Sequence, residues 1–453
     1  MDLEDLAHVT LVAGAPRSGK TEFALDMLIA AMKRYGDANA VMTVSGRQIA
    51  DMLGDRAIRE LSAVSQARPV TTLSAVAFRL LTAARSAQGK PLPKLLNGAE
   101  QDVIIRKVLA SHVEHRQHGD ECATCDLLRV YFAVSEWSGL VADDSTDAFA
   151  NQLRDMLARM NEIGAKPELE NMLIARAASR NGELDARRER LRTQWRLAFA
   201  LREEYNAAIR AAYSGEYRLD ASQLMIDATE AVSDIRDADI PNMLIVDDFQ
   251  DATLAGFALL EALHNRGTRL LLVGTPDEAV QTFRGSYPEY LMRRAVEGRL
   301  KAKEEQLVGG SAVADQSHMT MADVIASRIS LSIPSPEDEP LPPAERPGKL
   351  TAILGGVDAA NYQADGTVTA GLYRSSREEL DDVVWRIKRA HLDRHIRWND
   401  MAVITHDNAA VRLFGERLRR DGVPVRYSSV TRPLKDETFV QGLFALVELA
   451  RLR

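Results

Sequence analysis

Eight consecutive residues near the start of the chain have the types and spacing that bind a triphosphate. They are Gly14, Ala15, Pro16, Arg17, Ser18, Gly19, Lys20 and Thr21. In such a P-loop, the glycines let the backbone turn its N–H groups towards the phosphates, the lysine reaches the β and γ oxygens, and the threonine hydroxyl ligates Mg²⁺. The alternative is a glycine turn that only resembles a P-loop. The pattern favours a site for a nucleoside triphosphate with Mg²⁺.

The segments on either side of this turn support the same interpretation. Residues His8–Ala13 are mostly apolar and predict a buried strand. Residues Phe23–Met32 predict a helix, whose N-terminus would face the phosphates. A strand, a glycine-rich turn and a helix in this order are the context in which the motif is specific.

A second apolar run, Met243–Val246, predicts a buried strand that ends in the acidic segment Asp247–Asp251. An acidic residue at the end of a parallel strand lies beside the P-loop at the carboxyl edge of the sheet, where it can hold Mg²⁺ through water. Asp247 is the predicted metal residue, and a strand that simply ends in an acidic turn is the alternative. A third strand, Arg269–Val273, ends at Gly274 and points to the same place.

The long interval between the first two strands predicts an inserted domain, because a single crossover needs far fewer residues. Helical periodicity over Glu100–Ser111, Ala148–Ile163 and Leu184–Ala212 indicates that the insertion is α-helical. The predicted fold class is therefore α/β, a P-loop NTPase with parallel sheets. The predicted segments are a first α/β unit at 1–85 and 216–290, a helical insertion at 86–215, a connection with a proline-rich acidic linker at 291–348, an incomplete second α/β unit at 349–435, and the start of a further helical domain at 436–453.

The second α/β unit is predicted from shorter patterns. Ser376 and Glu379 have the spacing of a capping box at the start of a helix, and a further helix is predicted over Asn408–Arg420. Strands are predicted at Leu350–Leu354, Thr367–Tyr373, Met401–Thr405 and Pro424–Tyr427.

Composition limits the class of protein. The chain has 453 residues, a formal net charge of −8 and two cysteines. It has no apolar run of membrane-spanning length, an acidic N-terminus and no disulfide framework, which predicts a cytoplasmic protein with no membrane partner. The net negative charge argues against nucleic-acid binding through bulk positive charge but leaves a local basic groove open.

The P-loop, Asp247–Asp251 and Gly274–Asp277 through Phe283–Gly285 together resemble superfamily-1 DNA helicases of the UvrD/Rep type. Segments Leu95–Asp102 and Trp398–Ile404 look more like the AdnA/AdnB helicase-nuclease branch. The resemblance implies RecA-like domains, with the helical insertion as domain 1B and the second α/β unit as the start of domain 2A. It also implies ATP-driven movement on single-stranded or duplex DNA in repair or recombination, with a second helicase-nuclease subunit as a partner.

The resemblance also assigns roles to single residues. Lys20 and Thr21 would bind phosphate and Mg²⁺, Asp247 the metal, Gln250 would couple ATP to DNA, and Arg284 would contact the γ-phosphate. Asp248 occupies the position of the catalytic glutamate. Two segments correspond to DNA-contacting motifs, Ser45–Arg47 and Thr72–Ser74.

Departures from the family pattern fall on hydrolysis and coupling. Asp248 is one methylene shorter than glutamate, Glu278 and Gln281 replace a glutamine and a tyrosine, and Leu307–Ser311 lacks the expected arginine. Because small misplacements of catalytic groups cost about a hundredfold in rate, hydrolysis by this chain alone is expected to be weak or absent. The chain is interpreted either as part of a longer subunit cut after residue 453 or as a motor-derived subunit that holds ATP. A P-loop regulatory or scaffold protein that does not act on DNA is the alternative function.

A cluster of metal-ligand types follows the first predicted helix of the insertion. The residues are His112, His115, His118, Cys122 and Cys125, and the two cysteines have the spacing of half a zinc site. The alternative is a polar loop after a helix ending near Ser111, with solvated histidines and two ordinary thiols. The sequence favours the loop, because the chain has no second cysteine pair.

Overall fold

The computed structural model describes residues 2–14, 18–61, 68–131, 145–179, 185–281, 286–307, 366–427 and 438–451. The chain divides into two compact units, Met1–Gln363 and Ala364–Arg453. The first unit contains the P-loop residues and a six-stranded sheet. Among the helices of the described ranges, none has the length and apolar character needed to cross a membrane.

The strands of the six-stranded sheet are β1 Val9–Ala13, β2 Ala40–Thr43, β3 Val70–Thr71, β6 Met243–Val246, β7 Arg269–Gly274 and β8 Lys303–Gln306. All of them are parallel, in the order β3-β2-β6-β7-β1-β8. The central strands are buried along almost their whole length, as expected where helices cover both faces of a parallel sheet. The predicted α/β class with a parallel sheet is confirmed.

Strand β8 lies within the segment 291–348 that the sequence predicts to be a connection. It pairs with β1 at the edge of the sheet, and its residues Lys-Glu-Glu-Gln are largely exposed. Charged residues on an edge strand discourage pairing with other chains, and they also remove the apolar pattern that predicts a strand. The sheet of the first unit therefore extends beyond residue 290.

The helices of the first unit include those that form the insertion. Three of them, Gly98–His118, Ser145–Glu162 and Asp185–Ala212, correspond to the helices predicted over Glu100–Ser111, Ala148–Ile163 and Leu184–Ala212. The helices that the structure describes in this unit are α1 Lys20–Tyr35, α2 Arg47–Leu61, α3 Leu73–Ala87, α4 Gly98–His118, α5 Ala123–Tyr131, α6 Ser145–Glu162, α7 Glu170–Ser179, α8 Asp185–Ala212, α9 Leu224–Ala231, α10 Leu254–Asn265 and α11 Pro288–Glu297.

A short parallel ladder joins the two ends of the insertion. Strand β4, Pro93–Leu95, pairs with β5, Tyr217–Leu219. The helices between them have an apolar core of their own, which includes Ile105, Leu128 and Leu201. The chain thus enters and leaves the helical insertion at two adjacent strands.

Within the described residues of the second unit, the helices are α12 Ser376–Arg394, α13 Asn408–Arg420 and α14 Thr438–Arg451. Helix α13 has the predicted bounds. The sequence predicts strands at Thr367–Tyr373, Met401–Thr405 and Pro424–Tyr427, but no described residue of this unit pairs in a ladder. The strand prediction is wrong for these three segments, because an extended segment becomes a strand only with a hydrogen-bonded neighbour. The predicted strand Leu350–Leu354 lies outside the described residues.

The N-terminus of α12 is capped one residue earlier than predicted. Ser375 is the N-cap residue, and its hydroxyl accepts a hydrogen bond from the Glu378 N–H at 3.3 Å. The Glu378 carboxylate in turn accepts from the Arg374 N–H at 3.0 Å. Two neighbouring serines and two neighbouring glutamates offer the same spacing, so the pattern alone leaves the cap ambiguous by one residue.

Candidate nucleotide site

Three adjacent parallel strands end at one edge of the sheet and bring the predicted site residues together. Strands β6, β7 and β1 are neighbours, with Val246 beside Leu272 and Ala13 beside Gly274. The P-loop follows β1, the acidic segment follows β6, and Thr275 follows β7. Open parallel sheets bind ligands at this carboxyl edge.

Two glycines give the P-loop its close turn. Gly19 has φ of +85°, a left-handed conformation that glycine adopts without strain. A Cβ on Gly14 would lie 2.3 Å from Ser18 Oγ and 2.9 Å from Lys20 Cγ, so a side chain at position 14 would displace the lysine. Three residues of the predicted cofactor site lie outside the described residues, namely Ala15, Pro16 and Arg17.

Lys20 is buried at the start of α1, with 8% of the residue exposed. Its Nζ donates to the Gly14 carbonyl at 2.8 Å and lies 2.8 Å from Glu278 Oε2. The ammonium is therefore directed back over the turn, as phosphate binding requires. Glu278 competes for the same ammonium with any phosphate bound there.

Thr21 and Asp247 meet across the site, as the motif pair predicts. The Thr21 hydroxyl donates to Asp247 Oδ2 at 2.8 Å. Burial, followed by the nearby negative charge of Asp248, raises the pKa of Asp247 to about 6. A hydroxyl beside a desolvated carboxylate is a set of hard oxygen donors that fits Mg²⁺, and a divalent cation would favour the ionised form of the aspartate.

Asp248 has a left-handed backbone, with φ of +54° and ψ of +42°. Its carboxylate accepts from Ser45 Oγ at 3.3 Å and from Gln250 Nε2 at 3.2 Å. Each Asp248 oxygen thus has a protein donor. Ser45 belongs to a segment that the family resemblance associates with DNA, so this bond joins that segment to the predicted catalytic position.

Gln250 links the ends of β6 and β7. The residue is 1% exposed, and its Oε1 accepts from the Thr275 N–H at 3.2 Å. A Cβ on Gly274 would lie 2.1 Å from the same Oε1, so a glycine is needed where the two strand ends approach. The amide that is expected to couple ATP to DNA therefore connects the acidic segment to the end of the strand that leads to the predicted arginine.

Sequence reasoning did not find two contacts that shape this site. One is the ion pair between Lys20 and Glu278. The other is made by Asp251, whose Oδ1 accepts from the N–H groups of Val280 and Gln281 at 2.8 and 3.0 Å. Burial raises the pKa of Asp251. The chain gives no local signal for either contact, because the partners belong to segments that follow different strands.

The predicted contacts of two further residues, Arg284 and Thr72, stay predictions. Arg284, predicted to contact the γ-phosphate, lies outside the described residues. Thr72 is the N-cap of α3, where its side chain accepts from the Ala75 N–H at 3.2 Å. Its predicted contact with DNA stays a prediction.

A family model described as the UvrD/REP helicase N-terminal domain matches residues 3–296 of the chain. The matched span contains every P-loop residue, the acidic segment after β6 and the Gly274–Gly285 segment. The comparison with curated proteins gave no match.

Proposed function

This chain belongs to the UvrD/REP helicase family, and we propose that it is an ATP- and Mg²⁺-binding helicase subunit whose own ATP hydrolysis is weak. The observation that carries the proposal is the meeting of Lys20, Thr21 and Asp247 at the carboxyl edge of the parallel sheet. Lysine, hydroxyl and carboxylate are the groups that hold a phosphate chain and its Mg²⁺ in P-loop enzymes.

Weak hydrolysis is supported by the surroundings of Asp248. A hydrolytic carboxylate has to orient a water in line with the γ-phosphate, and aspartate is one methylene shorter than the glutamate it replaces. Ser45 and Gln250 also donate to its two oxygens, which holds the carboxylate at the sheet edge. A carboxylate held back from the attacking water in this way lowers the rate of hydrolysis about a hundredfold.

Glu278 supports weak hydrolysis in a second way. Its carboxylate contacts Lys20, and 28% of its side chain is exposed. A negative charge at this place repels the γ-phosphate, whereas the glutamine of the family pattern is neutral. Both effects weaken the site that must stabilise the transferred phosphoryl group.

DNA repair or recombination is the proposed setting, with a second helicase-nuclease subunit as partner. The support is the resemblance of Leu95–Asp102 and Trp398–Ile404 to the AdnA/AdnB branch. A partner subunit would supply the turnover that this chain performs poorly.

The test is ATP binding and steady-state hydrolysis by the full chain, with and without single-stranded DNA. We expect binding that is lost in Lys20→Ala, slow turnover that rises with DNA, and faster turnover in Asp248→Glu. Asp26→Glu, an exposed change on α1, is the matched control and should leave turnover unchanged.

Two results would contradict the proposal. If DNA changes neither nucleotide affinity nor turnover, the chain is a P-loop regulatory or scaffold protein. If the unaltered chain already turns over ATP as fast as Asp248→Glu, the shorter carboxylate does not limit hydrolysis.

A further inference from the structure

Four metal-ligand side chains converge in the helical insertion, away from the nucleotide site. His112 and His115 lie one turn apart near the end of α4. Gly119, with φ of +73°, ends that helix, and the chain turns back to bring Cys122 and Cys125 to the start of α5. One donor atom from each residue lies within 4.8 Å of the donor atoms of the other three.

The sequence favoured a solvated loop here, and the structure corrects that interpretation. Helix α4 continues to His118 instead of ending near Ser111, so both histidines lie on a helix. His112 is 1% exposed and Cys125 8% exposed. His118 is exposed, and its Nδ1 is 2.9 Å from the Glu114 carbonyl, so it does not belong to the cluster.

The two separations between His112 and the thiols match those in a tetrahedral zinc site. His112 Nδ1 lies 3.5 Å from Cys125 Sγ and 3.7 Å from Cys122 Sγ. Zinc bonds of about 2.3 Å to sulfur and about 2.0 Å to nitrogen at the tetrahedral angle place a nitrogen and a sulfur about 3.5 Å apart. The four donors therefore need little movement to close around one ion.

A carboxylate orients His112 for binding through Nδ1. His112 Nε2 lies 2.6 Å from Glu204 Oε2, and the other oxygen of Glu204 accepts from Thr124 Oγ1 at 2.6 Å. When Nε2 carries the proton and donates it to Glu204, the lone pair of Nδ1 points at the two thiols. This carboxylate–histidine arrangement is typical of metal-bound histidines.

His115 provides an independent indication. Its Nδ1 is buried and has no hydrogen-bond partner among the described residues. A buried ring nitrogen without a partner costs free energy unless water or an ion satisfies it. A metal between the two histidines and two cysteines would remove that cost.

We propose that His112, His115, Cys122 and Cys125 form a structural zinc site in the helical insertion. Two thiolates and two imidazoles favour Zn²⁺ over Mg²⁺, which prefers oxygen ligands. With four protein ligands the site has no open position for catalysis. It joins the α4–α5 turn to α8 through Glu204 and so fixes the shape of the insertion.

The test is the metal content of the full chain, purified without chelator and without nucleotide or DNA. We expect about one zinc per chain, and we expect Co²⁺ to give the absorption bands of a tetrahedral site with thiolate ligands. Cys125→Ser and His112→Asn should lose the metal, whereas His118→Asn is the matched control and should retain it. Circular dichroism of each variant shows whether it has folded.

Glu204→Gln tests the second layer of the site. It keeps all four ligands, so the stoichiometry should remain one zinc while affinity falls by about 10- to 100-fold. A chain that binds neither zinc nor cobalt, an octahedral cobalt spectrum, or equal metal loss in His112→Asn and His118→Asn would overturn the proposal. Because no assay involves ATP or DNA, failure here is distinguishable from failure of the proposed helicase function.

Discussion

Replacing Asp247 by asparagine should stabilise the metal-free fold at neutral pH while removing the proposed Mg²⁺ ligand. Burial raises the pKa of this carboxyl from 3.8 to about 6. Between pH 3.8 and about pH 6, the Asp247 carboxyl is therefore protonated in the folded chain but ionised in the unfolded chain. Stability accordingly falls as the pH rises through this window, and above it the ionised carboxylate has its full destabilising effect.

The magnitude follows from the difference between the two pKa values. From 3.8 to about 6, at about 1.4 kcal/mol per pKa unit, the cost of ionising Asp247 in the fold is about 3 kcal/mol. Asparagine has nearly the same shape as the neutral acid, and its Oδ1 can accept the Thr21 hydroxyl in the same way. Most of the cost should therefore disappear in the variant.

The assay is thermal unfolding of the full chain in EDTA, between pH 4 and pH 8. We expect Asp247→Asn to unfold several degrees above the unaltered chain at pH 7.5, and the two to converge near pH 4. Asp26→Asn, an exposed change on the same helix as Thr21, should show no such pH-dependent gain. An Asp247→Asn variant that is equally or less stable at pH 7.5 would refute the reasoning.

Three further outcomes are expected. The Glu278→Gln variant should bind ATP about fivefold more tightly in a fluorescent-nucleotide titration. The reason is that a partly exposed ion pair, which contributes about 1 kcal/mol, no longer competes with the phosphates for Lys20. Weaker binding would contradict this prediction. Gly274→Ala should reduce DNA-stimulated turnover more than ATP affinity, because its Cβ displaces Gln250; unchanged stimulation would count against that role. Ser375→Ala should speed hydrogen exchange at the start of α12, since losing an N-cap costs about 1 kcal/mol, whereas Ser376→Ala should not; the reverse would restore the predicted cap.

The first two predictions concern two acidic side chains of the same site. The ionised Asp247 carboxylate destabilises the metal-free fold, and a bound divalent cation would relieve that cost. Glu278 holds Lys20 in place but opposes the charge that the lysine is expected to bind.

Local patterns in the sequence were enough for the parts of the fold that depend on neighbouring residues. The P-loop, strands β1, β6 and β7, and helix α13 were predicted because glycine conformation, apolar runs and helical periodicity act within a few residues. The same patterns failed where an element depends on its neighbours in space. Strand β8 is charged because it lies at an edge, and the apolar segments of the second unit lack a paired strand in the described residues.

The tertiary structure alone decided which side chains meet. Thr21 and Asp247 are 226 positions apart and contact each other because β1 and β6 end at the same edge of the sheet. Glu204 is 92 positions from His112 and reaches it because α8 packs on the other helices of the insertion. Residue types limit the chemistry that a chain can perform, whereas the distances and burial that select among those chemistries arise only when distant segments pack together.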